Sequence, residues 1–270
     1  MTTPHVDLEA SPANRGWTAP RVDGLGWWLR SYLLMLRWEL GNMRLVLPLL
    51  LIVQIALYGG SVIGLGFFYD VVPSQQALYF ATGSTLLALI TVGLTFVPSI
   101  IAQRRAEGSH DYQWALPVPR VAMMLATLTI FVVVSAPGAT IALVLAELRY
   151  DIELDVSLTL VPAILLILVT TTSVGAAIGH VTAQPAVTSA IGNLLFIAMF
   201  LFSPINYPAE RLPGWLQTAH EWLPFQHMAN AMRGGLTADL GVDVGRSLAI
   251  LVAWALAAWA SMYWVLGRPR

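Results

Sequence analysis

QALYFATGSTLLALITVGLTFVPSIIA, residues 76–102, runs for 27 residues without a charged side chain. A helix needs about 20 mostly apolar residues to cross the hydrocarbon core of a bilayer, so this stretch is long enough to span with some tilt. It is too long and too evenly apolar for a strand of an outer-membrane barrel, which alternates over about ten residues. Five further stretches have the same uncharged centre, at 45–68, 120–146, 158–181, 186–203 and 245–266. The fold class they imply is an all-α polytopic membrane protein, with six transmembrane helices making one domain over 45–267. That leaves no room for a soluble catalytic domain of ordinary size.

Composition points the same way. The chain is 57% hydrophobic and 11% charged, with a mean hydropathy of +0.70, whereas a soluble domain carries about a quarter charged residues. So much apolar surface also excludes a disordered chain. The absence of cysteine removes disulfide frameworks, thiolate metal sites and cysteine nucleophiles. All 14 basic residues are arginine and the formal net charge is −1. Such a balance gives no basic field for nucleic acid. Without lysine there is no P-loop of the form GxxxxGK[ST]. No ATP or magnesium site, and no other cofactor, is expected in this chain.

Arginine placement sets the expected orientation, because short cytoplasmic loops carry the excess of basic residues. Arg15, Arg21, Arg30, Arg37 and Arg44 precede the first span, Arg104, Arg105 and Arg120 lie between the second and third, and Arg268 and Arg270 follow the last. Six crossings put all of these on one side. The opposite side carries nine acids, from Asp70 to Asp243, against Arg149, Arg211, Arg233 and Arg246. Both termini are therefore expected in the cytoplasm. Residues 1–24, polar and rich in Pro and Gly, lack the apolar core of a signal peptide and read as a disordered cytoplasmic lead-in; 268–270 form a cytoplasmic tail.

Residues 25–44, LGWWLRSYLLMLRWELGNMR, differ from the spans. Arg30, Arg37 and Arg44 recur every seven residues, a narrow stripe at 100° per residue. Leu29, Leu33, Leu36, Leu40 and Met43 make an adjoining apolar face, and Trp27, Trp28 and Trp38 suit the headgroup level. These features describe an amphipathic helix lying in the cytoplasmic interface. The alternative is the basic start of the first span, against which Gly41 and Asn42 interrupt the run.

No ionisable group occupies the centre of a span, where proton relays and ion pathways would need one. The polar groups present are mild: Gln54 in the first span, Thr170 to Ser173 in the fourth and Asn193 in the fifth. They suit interhelical hydrogen bonds. As substrate-pathway candidates, Gln54 and Asn193 come first, because an unsatisfied amide in lipid costs more than a hydroxyl; Thr171 and Ser173 follow. His220 and His227 fit no zinc spacing, so no metal site is expected. Ser84 sits in no nucleophile elbow and His180 lies at a span end, which argues against an intramembrane protease.

Two connecting segments carry the most information. RRAEGSHDYQWALPVPR, residues 104–120, is amphipathic, bears both signs of charge and closes on two prolines. SPINYPAERLPGWLQTAHEWLPFQHMANAMRGGL, residues 203–236, is broken by Pro204, Pro208, Pro213 and Pro224 into short helices too apolar for a free loop. Pro213 and Pro224 suit first-turn positions. With six spans and the helix at 25–44, this arrangement resembles the permease subunit of a type-2 ATP-binding-cassette exporter, over about 25–267. The first segment is similar to that family's R-E-x-G-T-x-E-x-L-x-x-[TS]-P-V pattern at Arg105, Gly108, Asp111, Pro117 and Val118; Ser109 and Leu116 depart from it. The second is similar to its P-x-E-x-[LM]-P-x-W-L run and later proline and arginine, at Pro208, Glu210, Leu212, Pro213, Trp215, Leu216, Pro224 and Arg233.

The resemblance implies a half-transporter in a bacterial plasma (inner) membrane. Two permease subunits, as a homodimer or with a sister, would line one pathway through membrane lipid. Two copies of a nucleotide-binding ATPase subunit would bind the ATP and magnesium. Arg104, Arg105, Glu107, Gly108, Asp111 and Pro117 would form the ATPase-coupling loop, and the outer segment 203–244 would hold a re-entrant hairpin before the last span. The short outer loop at 69–75 fits exporters of drugs, antibiotics or lipids, and without an ATPase site of its own the chain itself would not be an enzyme. Rival readings are a non-transporting anchor or scaffold, which needs no coupling loop, and a secondary transporter, whose inverted repeat is not evident.

Overall fold

The computed structural model describes residues 24–108, 116–182, 184–238 and 240–266, with side chains through Ser261. Residues 1–23 of the 1–24 lead-in, the tail at 268–270 and Asp111 lie outside the described residues. Helix α1 (Leu25–Met43) comes first, followed by α2 (Leu47–Gly66), α3 (Ser74–Ala106), α4 (Arg120–Tyr150), α5 (Leu160–Val181) and α6 (Pro185–Phe202). A one-turn 3₁₀ helix at Ala209–Arg211 leads into α7 (Gly214–His220) and α8 (Pro224–Leu236), and α9 (Val244–Leu266) closes the chain. No strand occurs among the described residues. Helices α2 to α6 and α9 are each long and apolar enough to cross a membrane.

Helix boundaries have local causes. Prolines sit in the first turn of α2, α6 and α8, where the missing N–H leaves no bond unmade. Asp151 ends α4 in the left-handed region at φ 51, its N–H donating to the Glu147 carbonyl. Gly108 does the same for α3 at φ 72, where a side chain would be strained.

Helix α3 is the hub. Of its most apolar stretch 72% is buried, against 17% for α6, and α4, α5, α6 and α8 pack around it. Two spans are not regular. Ile55–Gly59 of α2 and Val92–Phe96 of α3 form π turns. The second lies just before Pro98, whose ring cannot accept a regular helical carbonyl from Leu94 behind it. The Tyr58 hydroxyl of the first turn bonds Thr91, the residue just before the second. Close approach follows: a Cβ on Gly175 of α5 would overlap the Gly93 carbonyl oxygen, so only glycine lets these backbones touch. Pro137 lies inside α4, which runs on past it unbroken.

Two apolar clusters result. The larger joins the N-terminal half of α3 to α5 and α8 through Leu86, Ile90, Ile167, Met228 and Met232. The smaller, around Val97, Ile130, Phe131 and Val134, holds the opposite end of α3 against α4.

Candidate functional site

The described residues place chemistry at the two ends of α3 and in the space between them. At the 104–119 end, Arg104 makes a two-pronged ion pair with Glu39 of α1, Nη1 to Oε1 at 3.0 Å and Nη2 to Oε2 at 2.5 Å. The fork of a guanidinium matches a carboxylate in this geometry. Ser31, Met35 and Glu39, spaced four apart, form the face that α1 buries. Its leucines at 25, 29 and 33 stay exposed.

Arg105 turns the other way. Its Nη1 donates to the carbonyls of Gly179, His180 and Thr182 at 3.1, 2.6 and 3.4 Å. A cation here meets the unsatisfied carbonyls and negative dipole end of α5. Consecutive arginines thus clamp the end of α3 to α1 on one side and to α5 on the other. Beyond the clamp, Glu107 is exposed and accepts from Gln103 at 2.9 Å, Gly108 turns the chain, and Pro117 is exposed on the return to α4.

Between α3, α4, α5 and α9 lies a cavity of about 160 Å³, lined chiefly by apolar groups such as Met124, Leu128, Phe131 and Val169. Arg104, Glu39 and His180 stand at its 104–119 end. Ser173 lines this cavity. Thr171 is buried and bonds its own helix through the Ile167 carbonyl at 2.7 Å, as a hydroxyl in an apolar helix does. Gln54 is 1% exposed and packs against Gly138 of α4, with neither amide atom partnered among the described residues. Asn193 instead points outward, exposed on α6. The four amide and hydroxyl residues therefore do not converge within one subunit.

At the other end, the hairpin of α7 and α8 is locked by Arg233. This side chain is 3% exposed; its Nη2 donates to the carbonyls of Pro204 and Ile205 at 2.8 and 2.6 Å, and its Nη1 to Asn230 at 3.1 Å. The guanidinium also stacks 4.3 Å from the centre of the Tyr79 ring of α3. Burial lowers its pKa to about 10, so it stays cationic at neutral pH. Pro208 and Pro213 stand immediately before the 3₁₀ turn and α7, Pro224 opens α8, and Glu210 and Trp215 are exposed. His220 donates from Nε2 to the Phe202 carbonyl at 2.9 Å. Burial holds its pKa below the ordinary histidine value.

Glu39 and Tyr79 are the partners that motif spacing does not reveal. Glu39 had one signal, being the sole acid in 25–44, four residues after Met35 on a common face. Tyr79 had none, since its role appears only once α8 is folded against α3.

Six apolar helices, one of them a buried hub, with polar clamps at the ends and no charge at mid-depth among the described residues, define a multi-pass membrane protein. The chain belongs to the ABC-2 transporter family: residues 69–264 match the family model described as ABC-2 family transporter protein. It is an ABC-2 type permease subunit, the membrane component that associates with an ATPase subunit and is not itself the ATPase. No curated protein matches the chain.

Proposed function

We propose that this subunit is one half of the membrane pathway of an ATP-driven exporter in a bacterial plasma membrane. Two copies, or one copy and a sister subunit, pair in lipid and dock two ATPase subunits. The pathway carries a hydrophobic or amphiphilic molecule, a drug, antibiotic or lipid, out of the cytoplasm or inner leaflet. In this reading both termini and the 104–120 loop are cytoplasmic, α1 lies in the interface with its exposed leucines in lipid, and the α7–α8 hairpin re-enters from the outer side.

The observation that carries it is the double clamp at Arg104 and Arg105. A force delivered to the loop that follows is passed at once to α1 and α5, because both are tied to the end of α3. The apolar cavity beside the clamp supports a substrate chosen by its apolar body rather than its charge.

The test is co-purification with a separately expressed ATPase partner, followed by transport in proteoliposomes. The chain alone should turn over no ATP. Glu107→Arg with Asp111→Arg places positive charge where the loop is acidic. Like-charge contact can cost several kcal/mol, so ATPase association should weaken by about a hundredfold. Normal coupled ATPase activity in that double variant would overturn the coupling assignment, and ATP turnover by the pure chain would overturn the subunit reading.

A further inference from the structure

A second cavity, of about 400 Å³, opens at the hairpin end between the close of α2, the start of α3 and the segment after α6. Its size falls in the range of small-molecule sites, roughly 300–1,000 Å³, which are mostly apolar with a few convergent polar groups. Phe68, Phe80 and Leu201 supply the apolar wall, and Tyr69, Asn206 and Arg211 the polar one. Arg211 donates from Nη1 to the Tyr69 hydroxyl at 3.0 Å, which anchors the guanidinium at the mouth while its other N–H groups stay available. Among the described residues no carboxylate pairs with it. The neighbouring acids Asp70 and Glu210 do not line the cavity. Behind the wall, the buried cation of Arg233 grips the Pro204 and Ile205 carbonyls, so positive charge stands on two sides of the segment that forms the site.

We propose that this cavity binds an amphiphile with an anionic head and an aromatic or branched apolar body. The sulfonate, phosphate or carboxylate head meets Arg211, where a charge-assisted hydrogen bond is about twice as strong as a neutral one. The body lies on Phe68, Phe80 and Leu201. Its place as a release site on the outer side rests on the exporter reading; the binding itself does not.

The test uses the full chain in phosphatidylcholine nanodiscs and two fluorescent probes of one scaffold, anilinonaphthalene sulfonate and uncharged phenylnaphthylamine, with empty discs as the blank. Wild type should bind both. Arg211→Gln, at an exposed position, should weaken the sulfonate about tenfold and leave the neutral probe unchanged. Phe68→Ala should weaken both. Thermal melts confirm that each variant is folded. Displacement of the sulfonate by phosphatidylglycerol in the disc identifies a membrane lipid as the occupant, and failure of that lipid to compete identifies a free amphiphile. Unchanged sulfonate binding in Arg211→Gln, or equal loss of both probes there, overturns the proposal. Neither ATP nor a partner enters the measurement, so its failure leaves the exporter reading standing.

Discussion

Truncating Arg233 to alanine should loosen the hairpin from the bundle without altering the spans. The substitution strands three acceptors, the carbonyls of Pro204 and Ile205 and the Asn230 side chain, and removes the cation from the Tyr79 face. Each buried acceptor left unpaired costs about 1–3 kcal/mol, and a desolvated cation–π contact is worth about 2. These terms do not add in full. The wild-type Nε already lacks a partner, and a loosened hairpin admits water to the stranded carbonyls. Breaking a buried charged cluster typically costs about 3–5 kcal/mol, and the lower half of that range suits this site. For a chain of this size about 3 kcal/mol lowers the melting temperature on the order of 10 °C. The assay is a melt of the purified chain in detergent, followed by circular dichroism and tryptophan emission. Arg233→Lys keeps the charge but not the planar fork, so it should melt between the two, and Tyr79→Leu should cost roughly 1–2 kcal/mol. An Arg233→Ala variant that melts within about 2 °C of wild type, a shift under 1 kcal/mol, would refute the lock.

Three further outcomes are expected. Gly175→Ala should sharply lower the yield of folded protein, because its methyl group meets the Gly93 carbonyl oxygen, part of a backbone that cannot swing aside; Gly60→Ala, where nothing lies within 4 Å, is the control and should express normally. Stability should fall as pH drops below the ordinary histidine value of 6.5. The folded pKa of His220 lies lower than that, so the unfolded chain takes up the proton first and stability rises with pH through the window between the two values. His220→Gln, which keeps a donor for Phe202 but does not titrate, should flatten that part of the melting-temperature profile; an unchanged slope would remove His220 as its source. Glu39→Gln with Arg104→Gln, compared with each single change in a double-mutant cycle, should show a coupling of about 1–3 kcal/mol, and a coupling near zero would mean that the pair does not hold α1.

The six long helices were legible because each apolar run exceeds the length that a bilayer demands, a criterion that depends only on local composition. The prolines at 208, 213 and 224 likewise announced the broken helices after α6, since the ring acts on its own turn. What escaped is long-range. The apolar stripe of α1 at Leu29 and Leu33 reads from sequence as a face for the membrane interface, and both stay exposed; the packing face Ser31–Met35–Glu39 was not legible, because the partner of Glu39 is Arg104, distant in sequence. Asn193 and Gln54 look alike as lone amides in apolar runs, but one faces outward and the other is buried against Gly138. Hydropathy cannot separate them, since every face of a peripheral membrane helix is apolar. The π turns also left no periodic mark, because a helix that is apolar all round has no stripe whose phase could be seen to slip.

Helix α3 works as a shaft with a fixed angular offset between its two fittings. Tyr79 engages the hairpin lock at one end and Arg104 engages α1 at the other, and the π turn at Val92–Phe96 lies between them. A π turn carries one residue more than the α turn it replaces, and one residue corresponds to about 100° of rotation in an α-helix. The turn therefore sets the timing between the ends, as a key does on an axle. Winding the same residues as regular α-helix would leave Tyr79 and Arg104 chemically intact and yet rotate the arginines by about 100° away from Glu39 and the end of α5, whereas deleting one residue from the turn would restore an α turn and keep the two ends in phase. Substitutions at either end change how firmly the shaft is gripped; the winding of its middle sets the angle at which it arrives.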